Sequence, residues 1–249
     1  SNLLKNSENW DKLEIGNGKS INIEYISANP TGPLHAGHAR GAVFGDALAS
    51  LLNEAGYSVT REYYINDAGS QIEKLVESSL LRYNELLTNK SIDIPEGLYP
   101  GEYLKEVGKI LFKKYENKLE SCDKEKVFEK VRSVSLETIM RMIKSDLLKL
   151  GIEMDVYTSE KEIISSHLLA EILKILEHKN LIYNGTLDPP KGVDPKNWEK
   201  REQLLFKSSI YGDDTDRALK KSDGTWTYFA TDMAYHLDKM NRTKGDLIN

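Results

Sequence analysis

A strand that runs into a proline-rich turn and then a helix is the feature that most limits how this chain can fold. Residues 21–27, INIEYIS, form a short β-prone run without an interior glycine or proline, which is typical of a buried strand. The following ANPTGP carries two prolines and a glycine and therefore predicts a turn. From His35 to Ala55 apolar residues recur at helical spacing, with Val43 and Leu51 among them, and Gly56 stands where a left-handed helix end is expected.

The same order of strand and helix is then repeated. YSVTREYYIN predicts a second strand, and DAGSQIEKLVESSLLRYNELL predicts a second helix, which we expect Asp67 to open. Two strand–helix units in succession are typical of a parallel sheet covered by helices. The predicted fold class is therefore α/β, with a Rossmann-like parallel sheet.

The region from residue 91 to residue 225 does not continue this pattern. The sequence predicts amphipathic helices at 103–117, 124–150 and 162–179, with a short strand at MDVYTSE. From Leu181 the chain becomes β-rich, and Asp223-Gly224 predicts a hairpin turn. A final helix, YFATDMAYHLDKMN, leads into GDLIN, which predicts the start of another strand. An open sheet that stopped there would be incomplete, so we expect the chain to be a fragment.

The composition excludes several classes of protein. Hydrophobic residues make up 39% and charged residues 29% of the chain, as in ordinary globular proteins. No apolar run approaches the ~18 residues of a membrane span, and SNLLKNSENW lacks the basic start and apolar stretch of a signal peptide. The single cysteine, Cys122, excludes internal disulfides and predicts a reducing, cytoplasmic location. A net charge of −5 argues against a dedicated nucleic-acid binder but allows one local face to contact RNA.

Two of the five histidines stand three residues apart in LHAGH, at the predicted helix start. His35 and His38 can be interpreted as idle solvated side chains, as a zinc pair, or as a phosphate site. Zinc is disfavoured, because metalloprotease pairs are four residues apart and enclose a glutamate, whereas Ala36 and Gly37 offer no base. Phosphate is favoured, because a helix N-terminus offers free N–H groups and partial positive charge. Gly37 would let a phosphate or a flat base approach closely, and we predict no metal-ligating side chains.

Glu24, Tyr228 and Asp232 each admit two interpretations from the residues alone. Glu24 either meets a cation within its apolar strand, where a lone carboxylate is costly, or faces solvent from an edge strand. Tyr228 and Asp232 are four residues apart, so a helix would present both on one face. Otherwise they are a core tyrosine and a surface acid, and the residues alone favour this second interpretation.

The segment SANPTGPLHAGHARGAVFGD resembles the HIGH-motif region of arginyl-tRNA synthetases, which are class I aminoacyl-tRNA synthetases. REYYINDAGSQI and DGTWTYFATDMAYHLDKM resemble further segments of that family, and the resemblance covers essentially the whole chain. It implies the first half of the catalytic domain at 1–90, a connective insertion at 91–225 and a return to the catalytic domain at 226–249.

The resemblance also implies an activity. The complete enzyme would join L-arginine to ATP, accompanied by Mg²⁺, and pass it from arginyl-adenylate to tRNA(Arg), with tRNA needed for the first step. We expect a cytoplasmic monomer without a membrane partner. The catalytic residues would be His35 and His38, and the ATP site would comprise Pro33, His35, Gly37 and His38. The arginine site would comprise Glu24, Ser27, Asn29, His38, Tyr228 and Asp232.

Two other classes of protein remain open. A small-molecule nucleotidylyltransferase can also carry His-x-Gly-His, but it predicts neither a large insertion nor the YFATD segment. A non-catalytic RNA-binding or regulatory paralogue would keep the fold, and the intact histidine pair and carboxylates count against it.

Overall fold

The computed structural model describes residues 14–119, 121–188 and 201–248. The N-terminal segment SNLLKNSENW, whose composition argued against a signal peptide, lies outside the described residues. The chain divides into two compact units, one formed by residues up to 161 together with 245–249, and the other by residues 162–244. The division at residues 90 and 225 that the resemblance implies is a different one, and it stays a prediction.

The predicted alternation of strands and helices is confirmed. In chain order the described elements are β1 (Ser20–Glu24), α1 (Ala36–Glu54), β2 (Ser58–Ile65), α2 (Ser70–Thr88), α3 (Tyr103–Tyr115), α4 (Lys124–Lys149), β3 (Val156–Ser159), α5 (Glu160–Ser165), α6 (Leu168–His178), β4 (Ile182–Gly185), β5 (Gln203–Phe206), a 3₁₀ helix (Ser208–Tyr211), β6 (Arg217–Lys220), α7 (Tyr228–Thr243) and β7 (Asp246–Ile248). None of the helices in the described ranges is both long enough and apolar enough to cross a bilayer.

The first unit is built on a parallel sheet whose strand order reverses at β1. The order is β3-β2-β1-β7, and every neighbouring pair is parallel. The chain thus proceeds from β1 to β3 on one side and later adds β7, the strand predicted in GDLIN, on the other. Open α/β sheets bind ligands at the carboxyl ends of the strands beside such a reversal. Glu24 ends β1 at this point.

Helix α1 buries its small residues rather than its large apolar ones. The buried residues are Ala42, Gly45 and Ala49, whereas Val43 is 55% and Leu51 70% exposed. Val43 and Leu51, whose helical spacing predicted the helix, therefore do not form its buried face. The reason is steric, because a Cβ on Gly45 would lie 2.3 Å from the Tyr25 ring. Small residues let α1 lie close to the chain that leaves β1.

Two glycines of α1 should respond oppositely to alanine. Gly45→Ala should lower the free energy of unfolding by about 1–3 kcal/mol, because its Cβ would overlap the Tyr25 ring. Gly41→Ala should raise it by about 0.5–1 kcal/mol, because its Cβ meets open space and alanine favours a helix. Denaturant unfolding of both variants tests the packing. Equal effects of the two substitutions would contradict it.

Asp67 does not open α2, contrary to the prediction. The N-cap of α2 is Gly69. Asp67 is buried, and its carboxylate accepts hydrogen bonds from the Ser159 hydroxyl at 2.9 and 3.0 Å and from the Lys161 N–H at 3.0 Å. It also pairs with Arg132 at 3.1 Å. Asp67 therefore connects the end of β2 with the end of β3 and with α4. Its bond to the Lys161 N–H also caps the first turn of α5.

The helix predicted at 162–179 is two helices, α5 and α6. Ser166 lies between them. Its hydroxyl donates to the Ile163 carbonyl at 2.7 Å and accepts from the Leu168 N–H at 3.2 Å. A serine that bonds to nearby backbone competes with continuous helix and favours a break.

The second unit combines α6 and α7 with an antiparallel sheet of order β4-β5-β6. The predicted hairpin turn at Asp223-Gly224 is confirmed, since Gly224 has φ +82° and Lys220 pairs with Trp226 across it. Thr227 then caps α7, accepting from the Ala230 N–H at 3.4 Å and donating to the Ala218 carbonyl at 2.6 Å. These bonds fix the start of α7, where Tyr228 lies.

Candidate active site

The backbone turns sharply where β1 ends. Ile26 and Ser27 have φ values of +69° and +38°, in the left-handed region. A β-branched residue is strained there, at a cost of about 1–3 kcal/mol, which persists only where the surroundings impose it. This turn ends the strand at Glu24, three residues before the predicted end.

Ser27 connects the Glu24 carboxylate to β2. The Ser27 hydroxyl donates to Glu24 Oε1 at 3.0 Å and accepts from the Tyr64 N–H at 3.0 Å. Since the hydroxyl has a single proton, accepting from the backbone directs that proton to the carboxylate. Glu24 is half-buried. The structure thus brings together two predicted arginine-binding residues and orients the carboxylate at the strand end.

His35 and His38 form a stacked pair at the N-terminus of α1. His35 is the N-cap, and its Nδ1 accepts from the Gly37 N–H at 3.1 Å. His38 Nδ1 accepts from the His35 N–H at 3.4 Å, and the two ring centroids are 3.7 Å apart. Because both Nδ1 atoms accept backbone N–H groups, each neutral ring carries its proton on Nε2. The pair therefore offers two Nε2–H donors beside the free N–H groups of a helix start.

Burial, and then the neighbouring His35, lower the pKa of His38 below its ordinary value. The unfolded chain therefore binds more protons than the folded chain between the two pKa values. The contribution of His38 to stability is present above pH ~6.5 and is lost as pH falls through the folded pKa. We expect an NMR titration of the His38 ring to have its midpoint below 6.5 in the folded protein and near ~6.5 in denaturant. Equal midpoints would contradict the arrangement.

The other residues predicted for ATP lie beside this pair. A Cβ on Gly37 would lie 3.0 Å from the His35 ring, so glycine leaves room for the stacked imidazole. Pro33 is exposed and lines a cavity of about 500 Å³ together with Arg141 and Lys149. Asn29 is also exposed on the same turn.

The remaining predicted arginine-binding residues belong to the second unit. Tyr228 is the first residue of α7 and is 67% exposed, and Asp232 is exposed one turn later. The helix therefore presents both on one face. The interpretation of Tyr228 as a core tyrosine, which the residues alone favoured, was wrong. Glu24, Ser27 and Asn29 belong to the first unit, so an arginine site that joins the two sets stays a prediction.

Sequence reasoning missed two tyrosines that hold the turn between β1 and α1. The Tyr63 hydroxyl donates to the Ala28 carbonyl at 2.8 Å, and the Tyr103 hydroxyl donates to the Thr31 carbonyl at 2.6 Å. Both residues are distant in sequence from the carbonyls that they contact, so no local pattern could reveal these bonds.

Metal-ligating side chains do not cluster in the part of the chain that the structure describes. No three His, Cys, Asp or Glu residues come together there as a possible metal site. The side chains and main chain described at the site offer imidazole donors, backbone N–H groups and a carboxylate.

A parallel sheet with a donor pair at the helix following β1, beside the strand-order reversal, defines a nucleotide-binding α/β domain. Residues 1–248 match the family described as tRNA synthetases class I (R), catalytic domain, and the chain belongs to this family.

Proteins similar to this chain include arginine–tRNA ligases and a solved arginyl-tRNA synthetase. An arginine–tRNA ligase of Ehrlichia chaffeensis is 56% identical over 230 residues, which cover 92% of this chain and 40% of that protein. One of Parvibaculum lavamentivorans is 52% identical over 247 residues, covering 99% of this chain and 42% of that protein. A solved arginyl-tRNA synthetase from Campylobacter jejuni has a TM-score of 0.80 at 36% identity, covering 100% of this chain and 51% of that structure. The chain thus spans about 40% of the length of these curated relatives.

Proposed function

We propose that the full-length protein is an arginine–tRNA ligase. The observation that carries this proposal is the stacked His35–His38 pair, whose two Nε2–H donors lie at the N-terminus of the helix that follows the strand ended by Glu24. Membership of the family and the arginine type of the relatives support it. The protein would act in the cytoplasm as a monomer, on L-arginine, ATP and tRNA(Arg).

The first step would be attack of the arginine carboxylate on the α-phosphorus of ATP. A carboxylate oxygen forms a bond to phosphorus, the bond to the bridging oxygen breaks, and pyrophosphate leaves with that electron pair. Negative charge builds on the α-phosphate oxygens. His35 and His38 would donate Nε2–H bonds to those oxygens, and such donors are worth about 2.7–4 kcal/mol in other enzymes. Gly37 and Pro33 would leave room for the nucleotide.

Arginine would be selected by two carboxylates. The guanidinium is a fixed fork of donors that matches carboxylate geometry. Glu24 and Asp232 would bind it with Tyr228, while Ser27, Asn29 and His38 would hold the amino and carboxylate groups. A neutral analogue such as citrulline would leave both carboxylates without a counter-charge in the occupied site, and sites built on obligatory hydrogen bonds can reject an analogue by roughly 10⁴–10⁵.

Mg²⁺ would accompany ATP. This ion keeps several waters and commonly binds through substrate phosphates rather than through a cage of protein ligands. The described residues fit that mode, since they offer no cluster of metal-ligating side chains.

ATP–pyrophosphate exchange by the protein extended to its natural ends tests the proposal. Each amino acid is assayed with and without tRNA(Arg), and we expect exchange with arginine alone, dependent on tRNA. Exchange without an amino acid requirement, on a small phosphorylated substrate, would favour a nucleotidylyltransferase. A well-folded protein without any exchange would overturn the ligase and leave the RNA-binding paralogue.

A further inference from the structure

Hydrogen bonds from residues elsewhere in the chain hold the turn between β1 and α1. Between Glu24 and Ala36 the chain has neither helix nor strand, yet it carries Ser27, Asn29 and His35. Two tyrosine hydroxyls bond to its backbone carbonyls, Tyr63 from β2 and Tyr103 from α3. Tyr63 belongs to the sheet itself, whereas Tyr103 belongs to the stretch in which the resemblance implies an insertion.

The Tyr103 ring fits a space that two glycines leave. A Cβ on Gly32 would lie 3.0 Å from the Tyr103 hydroxyl oxygen and 3.1 Å from Cζ. A Cβ on Gly101 would lie 2.1 Å from the ring. The ring therefore lies against the backbone of Gly32 while its hydroxyl bonds to Thr31 at 2.6 Å. Burial raises the pKa of the Tyr103 hydroxyl, so it keeps its proton and remains a donor at neutral pH.

The bond from Tyr103 to Thr31 meets the chain a few residues before the histidine pair. Thr31 is four residues before His35, which has an extended backbone as the N-cap. The bond from the His35 N–H to His38 Nδ1 is long, at 3.4 Å, so a small displacement of His35 would break it. Anything that fixes Thr31 and Gly32 therefore limits how far the two rings can move apart.

We propose that Tyr103 is a positioning residue for the histidine pair. It touches no substrate; it holds the turn at Thr31 and Gly32 so that His35 stays at the N-cap, with both Nε2–H groups aimed at the reacting phosphate. The proposal rests on the proposed function for its catalytic consequence. Its structural consequence, the geometry of the pair, can be measured without activity.

The test compares Tyr103→Phe with Tyr99→Phe in the full-length protein. Tyr99 is a matched control, because it is also half-buried. Its main-chain N–H, which the substitution leaves intact, donates to the Ser78 hydroxyl at 3.0 Å. We expect kcat for arginine-dependent exchange to fall ~10-fold in Tyr103→Phe, the effect of one lost hydrogen bond, with the KM for arginine within about two-fold of wild type. The melting temperature should fall by no more than the few degrees that the loss of one hydrogen bond explains.

A second readout is the titration of His38 in protein labelled with ¹³C-histidine, the signal being assigned by its loss in His38→Gln. In Tyr103→Phe we expect the His38 midpoint to rise toward the ordinary value, because the looser pair is more hydrated. The Cβ added by Gly32→Ala would press on the same ring, so this variant should lower kcat and raise the His38 midpoint by more than Tyr103→Phe does.

Tyr103→Phe with wild-type kcat and an unmoved His38 midpoint would overturn the proposal. A fall in kcat accompanied by a lower melting temperature, with the midpoint unmoved, would also overturn it and leave Tyr103 a purely structural residue. If the wild-type protein shows no exchange, the proposed function fails instead, and the His38 titration still decides whether Tyr103 positions the pair.

Discussion

Replacing His38 by alanine in the full-length protein should lower kcat for arginine-dependent ATP–pyrophosphate exchange by roughly 10²–10³-fold. In the proposed mechanism the His38 Nε2–H is one of two donors to the α-phosphate, on which negative charge would build. Such a bond strengthens as that charge develops, so its loss lowers kcat more than it weakens ATP binding. The KM for ATP should change by only a small factor.

The control for His38→Ala is His178→Ala, which removes an exposed histidine at the end of α6 and should leave exchange unchanged. His38→Gln keeps an N–H donor on a side chain of similar length and should recover part of the lost rate. The donor role would be excluded if kcat of His38→Ala stayed within about three-fold of wild type. The comparison is made under conditions in which pyrophosphate release does not limit the exchange rate.

Replacing Glu24 by glutamine should lower kcat/KM for arginine by on the order of 10³-fold, because removing one partner of a charge pair that bound arginine would bury costs about 3–5 kcal/mol. Glutamine has the same shape, but its amide cannot balance the guanidinium charge. The Ser27 hydroxyl, which donates to Glu24 Oε1 at 3.0 Å, can still bond to the amide oxygen. The effect should therefore reflect charge rather than a collapsed turn.

Two measurements make the Glu24 test specific. Glu54→Gln, at the exposed end of α1, should leave the KM for arginine unchanged. In Glu24→Gln the ratio of kcat/KM for arginine to that for citrulline should fall. The reason is that one of the two carboxylates that disfavour the neutral analogue has been removed. An unaltered KM for arginine together with an unaltered preference would remove Glu24 from the arginine site.

The sequence by itself determined the features that local chemistry controls. Alternating strand and helix patterns set the parallel sheet, and the turn between INIEYIS and the histidines set the start of α1. A phosphate role for the pair could be predicted because three-residue spacing and helix-terminal N–H groups are local properties, and that role stays a prediction. The hairpin at Asp223-Gly224 was predictable for the same reason.

Only the tertiary structure decided which groups meet across the chain. Asp67 has the sequence signature of a helix N-cap, yet Ser159, Lys161 and Arg132 bind it instead. The spacing of apolar residues predicted α1, but only the structure shows that the Tyr25 ring requires a glycine at position 45 where the helix packs. The same holds for the bond from Tyr103 to Thr31, 72 positions apart. Such contacts depend on the three-dimensional path of the backbone, and a one-dimensional pattern of residue types carries no information about which distant partner the fold will bring near.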